Sequence, residues 1–165
     1  MVHPFGFTPA LIAGLALAAP ALAGIPGDGT VDTTLCWSGP VQSISPTPSD
    51  RFGNYLVAGA VRTAQPRAMD AMRVECLGSF ESHAADFRHK GYCVYRDASG
   101  DAIYGSDATS PDAGYTWVIL GGTGKFEGMT GAGMVERVAS AERAAPGTMA
   151  GCRRLVGKYV VYPMP

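Results

Sequence analysis

The sequence predicts an all-β fold, a single antiparallel barrel of about eight strands, closed or nearly closed and joined by disulfides. Alternating apolar and polar runs recur at short spacing between Gly, Pro, Asp and Ser residues, and no long run has helical periodicity. The 22 glycines suit tight turns better than helices. Eight glycine-rich residues, 121–128, follow the apolar run 115–120, so two strands can meet there in a very tight turn.

The predicted strands are short runs bounded by turn residues. Residues 97–101 form a turn in which Gly100 suits the left-handed position of a three-residue loop. The Pro- and Ser-rich residues 40–54 are predicted to be a connection without regular structure. In chain order the predicted strands are 33–39, 56–63, 72–82, 87–97, 101–107, 115–120, 125–138 and 153–162.

The amino-terminal residues predict export. The apolar run 10–23 is too short to span a bilayer, and it ends in the small-x-small motif Ala21-Leu22-Ala23. We therefore expect a signal peptide over residues 1–23, cleaved near Ala23, and a secreted or periplasmic domain over residues 24–165. The sequence has no second apolar segment of about 20 residues, so stable membrane insertion is not predicted. The net charge of −1, with both signs interspersed, predicts no nucleic-acid partner.

The four cysteines predict two disulfides. A tight turn at residues 84–85 places Cys76 directly opposite Cys93, and such a pair can reach bonding distance in an antiparallel ladder. Cys36 and Cys152 then remain, near the first and last strands, which become neighbours if the sheet closes. We therefore expect the pairs 76–93 and 36–152. The spacings do not fit a zinc site, and no metal or cofactor is predicted.

Alternation along the central hairpin assigns its two faces. One face carries several charged side chains, which predicts that the other face points into the barrel. The inward set includes Phe80, His89 and Tyr95. If the turn at residues 97–101 keeps register, Asp107 also faces inward.

The glycine-rich segment predicts a tight turn between two strands, and we consider the case of a two-residue hairpin at Thr123 and Gly124. That register places Phe126 opposite Gly121, where its ring would cover bare backbone, and Trp117 opposite Thr130. The structural turn glycines are Gly121, Gly122, Gly124 and Gly128.

The inward polar groups are the candidate site. Tyr95 and Asp107 are the tentative catalytic residues, because a tyrosine hydroxyl can donate to a ligand carbonyl and a buried carboxyl can act as an acid. The alternative is that these groups are satisfied core residues. The full ligand-binding set is Phe80, His89, Tyr95, Asp107, Trp117 and Phe126.

The run from Val118 through the glycine-rich turn to Gly128 resembles the glycine-rich segment of the allene oxide cyclase and dirigent barrel superfamily. The resemblance covers about 15 residues, and Gly121 to Phe126 with Gly128 carry over as barrel architecture. It implies an eight-stranded antiparallel barrel, often homo-oligomeric, around a cavity that binds hydrophobic molecules. Some members of that group guide cyclisation or radical coupling by shaping their substrate. No flanking motif carries their acid and arginine positions onto this chain.

Three functions follow from this interpretation. The first is non-enzymatic binding of a small hydrophobic molecule, because the inward set is rich in Gly and Ala and leaves room in the barrel. The second is a cyclase or isomerase that folds a substrate in the cavity. The third is a structural or interaction protein with a packed barrel. The sequence leaves open whether the chain is an enzyme.

Overall fold

The computed structural model describes residues 25, 27–63, 68–84, 86–110, 112–140 and 145–163. The predicted signal peptide lies outside these residues. The described chain is almost entirely strand, with one short 3₁₀ helix and no α-helix, so none of it forms a helix that could cross a bilayer. The strands are β1 Asp28–Thr47, β2 Asp50–Arg62, β3 Arg73–His83, β4 Asp86–Arg96, β5 Ala102–Ser110, β6 Gly114–Gly122, β7 Met129–Ser140 and β8 Thr148–Val161.

The sheet closes on itself as a barrel. Each strand is antiparallel to the next, and β8 returns to pair with β1. That pairing runs without interruption from Asp28 opposite Val160 to Pro40 opposite Thr148. The predicted all-β antiparallel barrel is therefore confirmed.

Both predicted disulfides are confirmed. Cys76 lies opposite Cys93 in the β3–β4 hairpin, and Cys36 lies opposite Cys152 where the first and last strands meet. The Cα atoms are 4.1 Å apart in each pair. Two disulfides indicate a non-reducing environment, outside the cytoplasm.

The predicted inner and outer faces of the central hairpin are also confirmed. Gly78 lies opposite Gly91, as the tight turn between β3 and β4 requires. The turn at residues 97–101 keeps register into β5, so Asp107 lies opposite Gly91 and is buried inside the barrel. His89 and Tyr95 are buried on the same inner face of β4.

The predicted connection over residues 40–54 is wrong. β1 continues to Thr47 and β2 begins at Asp50, so the two strands form one long hairpin. The β1–β2 register shifts between Ile44 and Thr47, and Pro46 lies within this irregular part. Prolines are tolerated in strands at such irregularities, and for this reason a Pro-rich run can be a strand.

The two-residue hairpin considered after β6 does not form, and the strand predicted to begin at residue 125 begins at Met129. A 3₁₀ helix, Gly124–Phe126, separates β6 from β7, and Trp117 lies opposite Gly133 instead of Thr130. Phe126 covers Gly122 instead of Gly121, since a Cβ at Gly122 would lie 2.6 Å from the Cβ of Phe126.

Contacts with the preceding turn explain the longer connection. The backbone N–H of Lys125 donates to Asp101 Oδ2 at 3.3 Å, and the Lys125 ammonium lies 2.5 Å from Asp97 Oδ2. Gly124 and Gly128 have φ values of +57° and +75°, a region that favours glycine. These contacts come from the β4–β5 turn, which is distant in sequence.

The two ends of the barrel differ. We call the end with the β1–β2, β3–β4, β5–β6 and β7–β8 turns the upper end, and the opposite end the lower end. The lower end is closed by fully buried apolar side chains, which account for much of the hydrophobic stabilisation. They are Val61, Met72, Ile103, Phe126 and Met129.

The exposure of the two disulfides predicts the order in which they are reduced. Cys36 is exposed on the outer face, whereas Cys76 and Cys93 are only 5% and 6% exposed. A thiol reductant must reach a sulfur atom, so Cys36–Cys152 should open first under native conditions. Timed alkylation followed by peptide mass spectrometry measures both rates.

Addition of denaturant is the control, since unfolding should make the two rates similar. Native-state reduction of Cys76–Cys93 at the same rate as Cys36–Cys152 would contradict this assignment.

Candidate functional site

An open cavity of about 640 Å³ lies at the upper end, against the strands β1 to β4. Four inward residues form one cross-strand row there, in the order Ser43, Gly53, Phe80 and His89. The cavity is lined by three consecutive residues from each strand: 42–44, 52–54, 79–81 and 88–90.

The cavity exists because these four strands are longer than their neighbours. The last β1–β8 pair is Pro40 with Thr148, and the first β4–β5 pair is Lys90 with Ala108. Residues 41–54 and 79–89 therefore extend beyond the fully closed part of the barrel, and the cavity lies against them.

A buried polar network lies directly below the cavity. Asp107 Oδ2 accepts hydrogen bonds from Arg153 Nη1 at 2.6 Å and from the Tyr115 hydroxyl. His89 Nδ1 lies 3.6 Å from the same oxygen, and His89 Nε2 is hydrogen-bonded to the Tyr55 hydroxyl. Of these five residues, His89 alone lines the cavity.

Two glycines make room for Tyr55. A Cβ at Gly78 would lie 2.3 Å from the Tyr55 hydroxyl oxygen, and one at Gly91 would lie 2.5 Å from it. Real Cβ contacts are not this short, so any larger residue would displace the hydroxyl from His89.

Arg153 reaches Asp107 across the barrel from β8. Its guanidinium lies 5.2 Å from the centre of the Trp37 ring and 4.9 Å from that of Tyr115. Aromatic rings on two sides stabilise the cation and fix its direction. The buried carboxylate of Asp107 therefore has a cationic partner, as a charge in this position requires.

Burial moves the pKa values of His89 and of the tyrosines near Asp107 away from neutrality. Desolvation, with help from the nearby Arg153 charge, lowers the pKa of His89 to about 4, although Asp107 opposes the shift. Burial and then the Asp107 charge raise the pKa of Tyr55 to about 12. The same two causes raise the pKa values of Tyr95 and Tyr115.

The imidazole of His89 is therefore neutral at pH 7. We assign its proton to Nδ1, because that nitrogen faces the Asp107 carboxylate, so Nε2 accepts from Tyr55. At 3.6 Å the Nδ1 contact is too long for a hydrogen bond. His89 Nδ1 and Asp107 Oδ1 are both buried without a hydrogen-bond partner among the described residues.

The structure brings three of the predicted ligand-binding residues together. Phe80 and His89 line the cavity, and Asp107 lies beneath His89. Trp117 is buried in the same inner row as Asp107, on the neighbouring strand. Tyr95 is buried further down β4 and makes no hydrogen bond with Asp107 among the described residues.

Phe126 is separated from these residues, because it is fully buried at the lower end. Its place follows from the 3₁₀ helix, which turns the chain after β6 instead of continuing it as a strand.

Sequence reasoning missed three members of the network. Tyr115 shares the inward parity of Trp117, and Arg153 alternates with Leu155 on the inner face of β8. An arginine on an otherwise apolar face is a detectable signal of a buried charge pair. Tyr55 fell at the edge of the residues assigned to an irregular connection.

No group of three or more His, Cys, Asp or Glu side chains in the described part of the chain could hold a metal ion. Comparisons with protein-family models, curated proteins and solved structures found no match. Membership of the allene oxide cyclase and dirigent superfamily therefore stays a prediction that rests on the glycine-rich segment.

Because His89 is buried as a neutral imidazole, the free energy of unfolding should depend on pH. The folded pKa of about 4 lies below the unfolded value of 6.5, so the unfolded chain binds more protons between these values. Stability present above pH 6.5 should decrease as the pH falls toward 4, by on the order of 2 kcal/mol. Urea unfolding of the wild type and of His89→Gln at several pH values measures this.

The His89→Gln variant should lose that part of the pH dependence. His83→Gln, at the exposed tip of the same hairpin, is the matched control and should keep the wild-type profile. Equal profiles for the wild type and His89→Gln would show that His89 is not buried neutral.

The Asp107–Arg153 pair predicts a large effect of removing one partner. Arg153→Met leaves the Asp107 carboxylate buried without its cation, and should reduce the free energy of unfolding by about 3 kcal/mol. The double variant Arg153→Met/Asp107→Asn should recover part of that loss. Chemical denaturation measures both changes.

Arg154→Met is the control on the adjacent residue. Arg154 pairs with Asp32 and Glu136 on the exposed outer face, so its loss should cost less than about 1 kcal/mol. Similar losses for the two arginine variants would contradict the assignment of a buried pair.

Proposed function

We propose that this chain is an exported protein that binds a small, mainly hydrophobic molecule in the cavity at the upper end of its barrel. The proposal places a signal peptide over residues 1–23, with cleavage near Ala23, and the mature domain in the periplasm or outside the cell. The two disulfides support a non-reducing location.

The single observation that carries the proposal is the open cavity above a packed interior. Its volume of about 640 Å³ suits a small organic molecule, since such sites commonly span about 300–1,000 Å³. Ile44, Phe52 and Phe80 are its large apolar lining residues, and most of the other lining residues are polar or charged. A concave site of this size with both kinds of group suits a small organic molecule.

The protonation states favour binding over proton transfer. A general acid or base works best with a pKa near the working pH, whereas the pKa of His89 falls to about 4 and that of Tyr55 rises to about 12. The cyclase or isomerase function stays a prediction. Its mark would be turnover of the bound molecule by the wild type that Asp107→Asn abolishes without loss of binding.

Filling the cavity should abolish binding. Ser43 faces inward at the cavity wall, so Ser43→Trp should weaken binding of the neutral fluorescent probe N-phenyl-1-naphthylamine by about tenfold or more. A fluorescence titration measures the dissociation constant.

Ser38→Trp is the matched control, since Ser38 lies on the same strand but is exposed on the outer face. It should bind the probe like the wild type. The proposal fails if the wild type does not bind the probe, or if both tryptophan variants bind it equally.

A further inference from the structure

We propose that the outer face of the β3–β4 hairpin and its two neighbouring strands is an interface at which two copies of this chain pair around a two-fold axis. This inference goes beyond the proposed function and needs no ligand in the cavity. It combines an exposed apolar patch of suitable area with two unpaired charges of opposite sign, one on each side of the patch.

The apolar patch crosses four strands on the outside of the barrel. Leu56 on β2 lies directly opposite Leu77 on β3, and Leu77 lies opposite Tyr92 on β4. Tyr104 on β5 lies one outward row below, opposite Val94, the next outward residue after Tyr92. Side chains that are directly or diagonally opposite lie within about 8 Å of each other, so the patch is continuous.

The area of this patch suits an interface of standard size. The exposed fractions are 56%, 61%, 52% and 38% for Leu56, Leu77, Tyr92 and Tyr104. Four large side chains at about half exposure present about 450 Å², which matches the apolar share, about 57%, of the about 800 Å² that each partner buries in an interface of standard size. Contiguous exposed apolar surface of this extent marks interaction sites on soluble domains.

Two charged residues flank the centre of the patch. Lys90 is the next outward residue above Tyr92 on β4, and Glu75 is the next one below Leu77 on β3. Both are exposed, and neither takes part in the ion pairs found among the described residues. They lie four ladder rows apart, which is about 14 Å at about 3.4 Å per row, so they do not pair with each other within one copy.

A two-fold axis along the row of Leu77 and Tyr92 makes these two charges complementary. When two copies face each other across such an axis, each residue of the row meets its own counterpart, and the row above it meets the row below it. Lys90 of one copy then faces the partner's lower row, in which Glu75 lies directly opposite Val94. The symmetry repeats this contact, so two Lys90–Glu75 pairs flank the apolar centre.

The hairpin that carries the patch is covalently fixed. The Cys76–Cys93 disulfide joins β3 to β4 one row below Leu77, on the inner side of the sheet. It fixes the register that places Lys90 and Glu75 on opposite sides of the patch. A surface that is rigid before association loses little conformational entropy on binding, so more of its contact energy contributes to affinity.

Sedimentation equilibrium of the purified protein tests the interface. The wild type should show a reversible monomer–dimer equilibrium with a micromolar dissociation constant. Leu77→Lys places a charge at the apolar centre, and should weaken dimerisation by about tenfold or more. Val160→Lys is the matched control, because Val160 is 39% exposed on β8, across the barrel from the hairpin, and this variant should dimerise like the wild type.

Exchange of the two charges identifies the contact between copies. Glu75→Lys and Lys90→Glu each place like charges against one another at two positions, and each should weaken the dimer by about tenfold or more. The double variant Glu75→Lys/Lys90→Glu has the wild-type net charge, and should recover dimerisation to within about threefold of the wild type. Because the two residues do not pair within one copy, this recovery can arise only between copies.

Three results would overturn the inference. They are a wild type that does not form dimers, equal dissociation constants for Leu77→Lys and the wild type, and a double charge variant that dimerises as weakly as the single ones. All substituted positions are exposed, and circular dichroism verifies that each variant is folded. Sedimentation is measured without ligand, so its result is independent of the probe titration that tests the cavity.

Discussion

The closure of the sheet between its first and last strands is the constraint on which the rest of the structure depends. β1 and β8 are remote in sequence. They pair without interruption over the lower part of the barrel, where the Cys36–Cys152 disulfide also joins them covalently. Closure converts one curved sheet into an interior with opposite walls. Only then can Arg153 on the last strand reach Asp107 on β5.

The strands have unequal lengths, and this divides the barrel into a closed lower part and an open upper part. Where all eight strands are paired, buried apolar side chains and the Asp107–Arg153 pair fill the space. Above that level only β1 to β4 continue, and the open cavity lies against these four strands. The unequal hairpins therefore place it beyond the closed part of the barrel instead of along the barrel axis.

The polar network at the base of the cavity is built for fixed protonation. Desolvation keeps His89 neutral and Tyr55 protonated, and Arg153 compensates the carboxylate of Asp107. At neutral pH, His89 and Tyr55 are therefore each stabilised in one protonation state. Such a network holds this part of the barrel interior in a fixed shape.

Local patterns by themselves determined the fold class, the faces of the central hairpin and the Cys76–Cys93 pair, whereas the Cys36–Cys152 pair could be assigned only on the assumption that the sheet closes. Alternation along β3 and β4 assigns His89 to the interior, and the tight turn fixes Cys76 opposite Cys93, because both depend on neighbouring residues alone. Tertiary contacts decided the rest. The 3₁₀ helix that places Phe126 at the lower end depends on Asp97 and Asp101 from another turn, and the β1 extension depends on pairing with β2. The Arg153 and Tyr115 contacts with Asp107 cross between strands, and no local pattern encodes such distances.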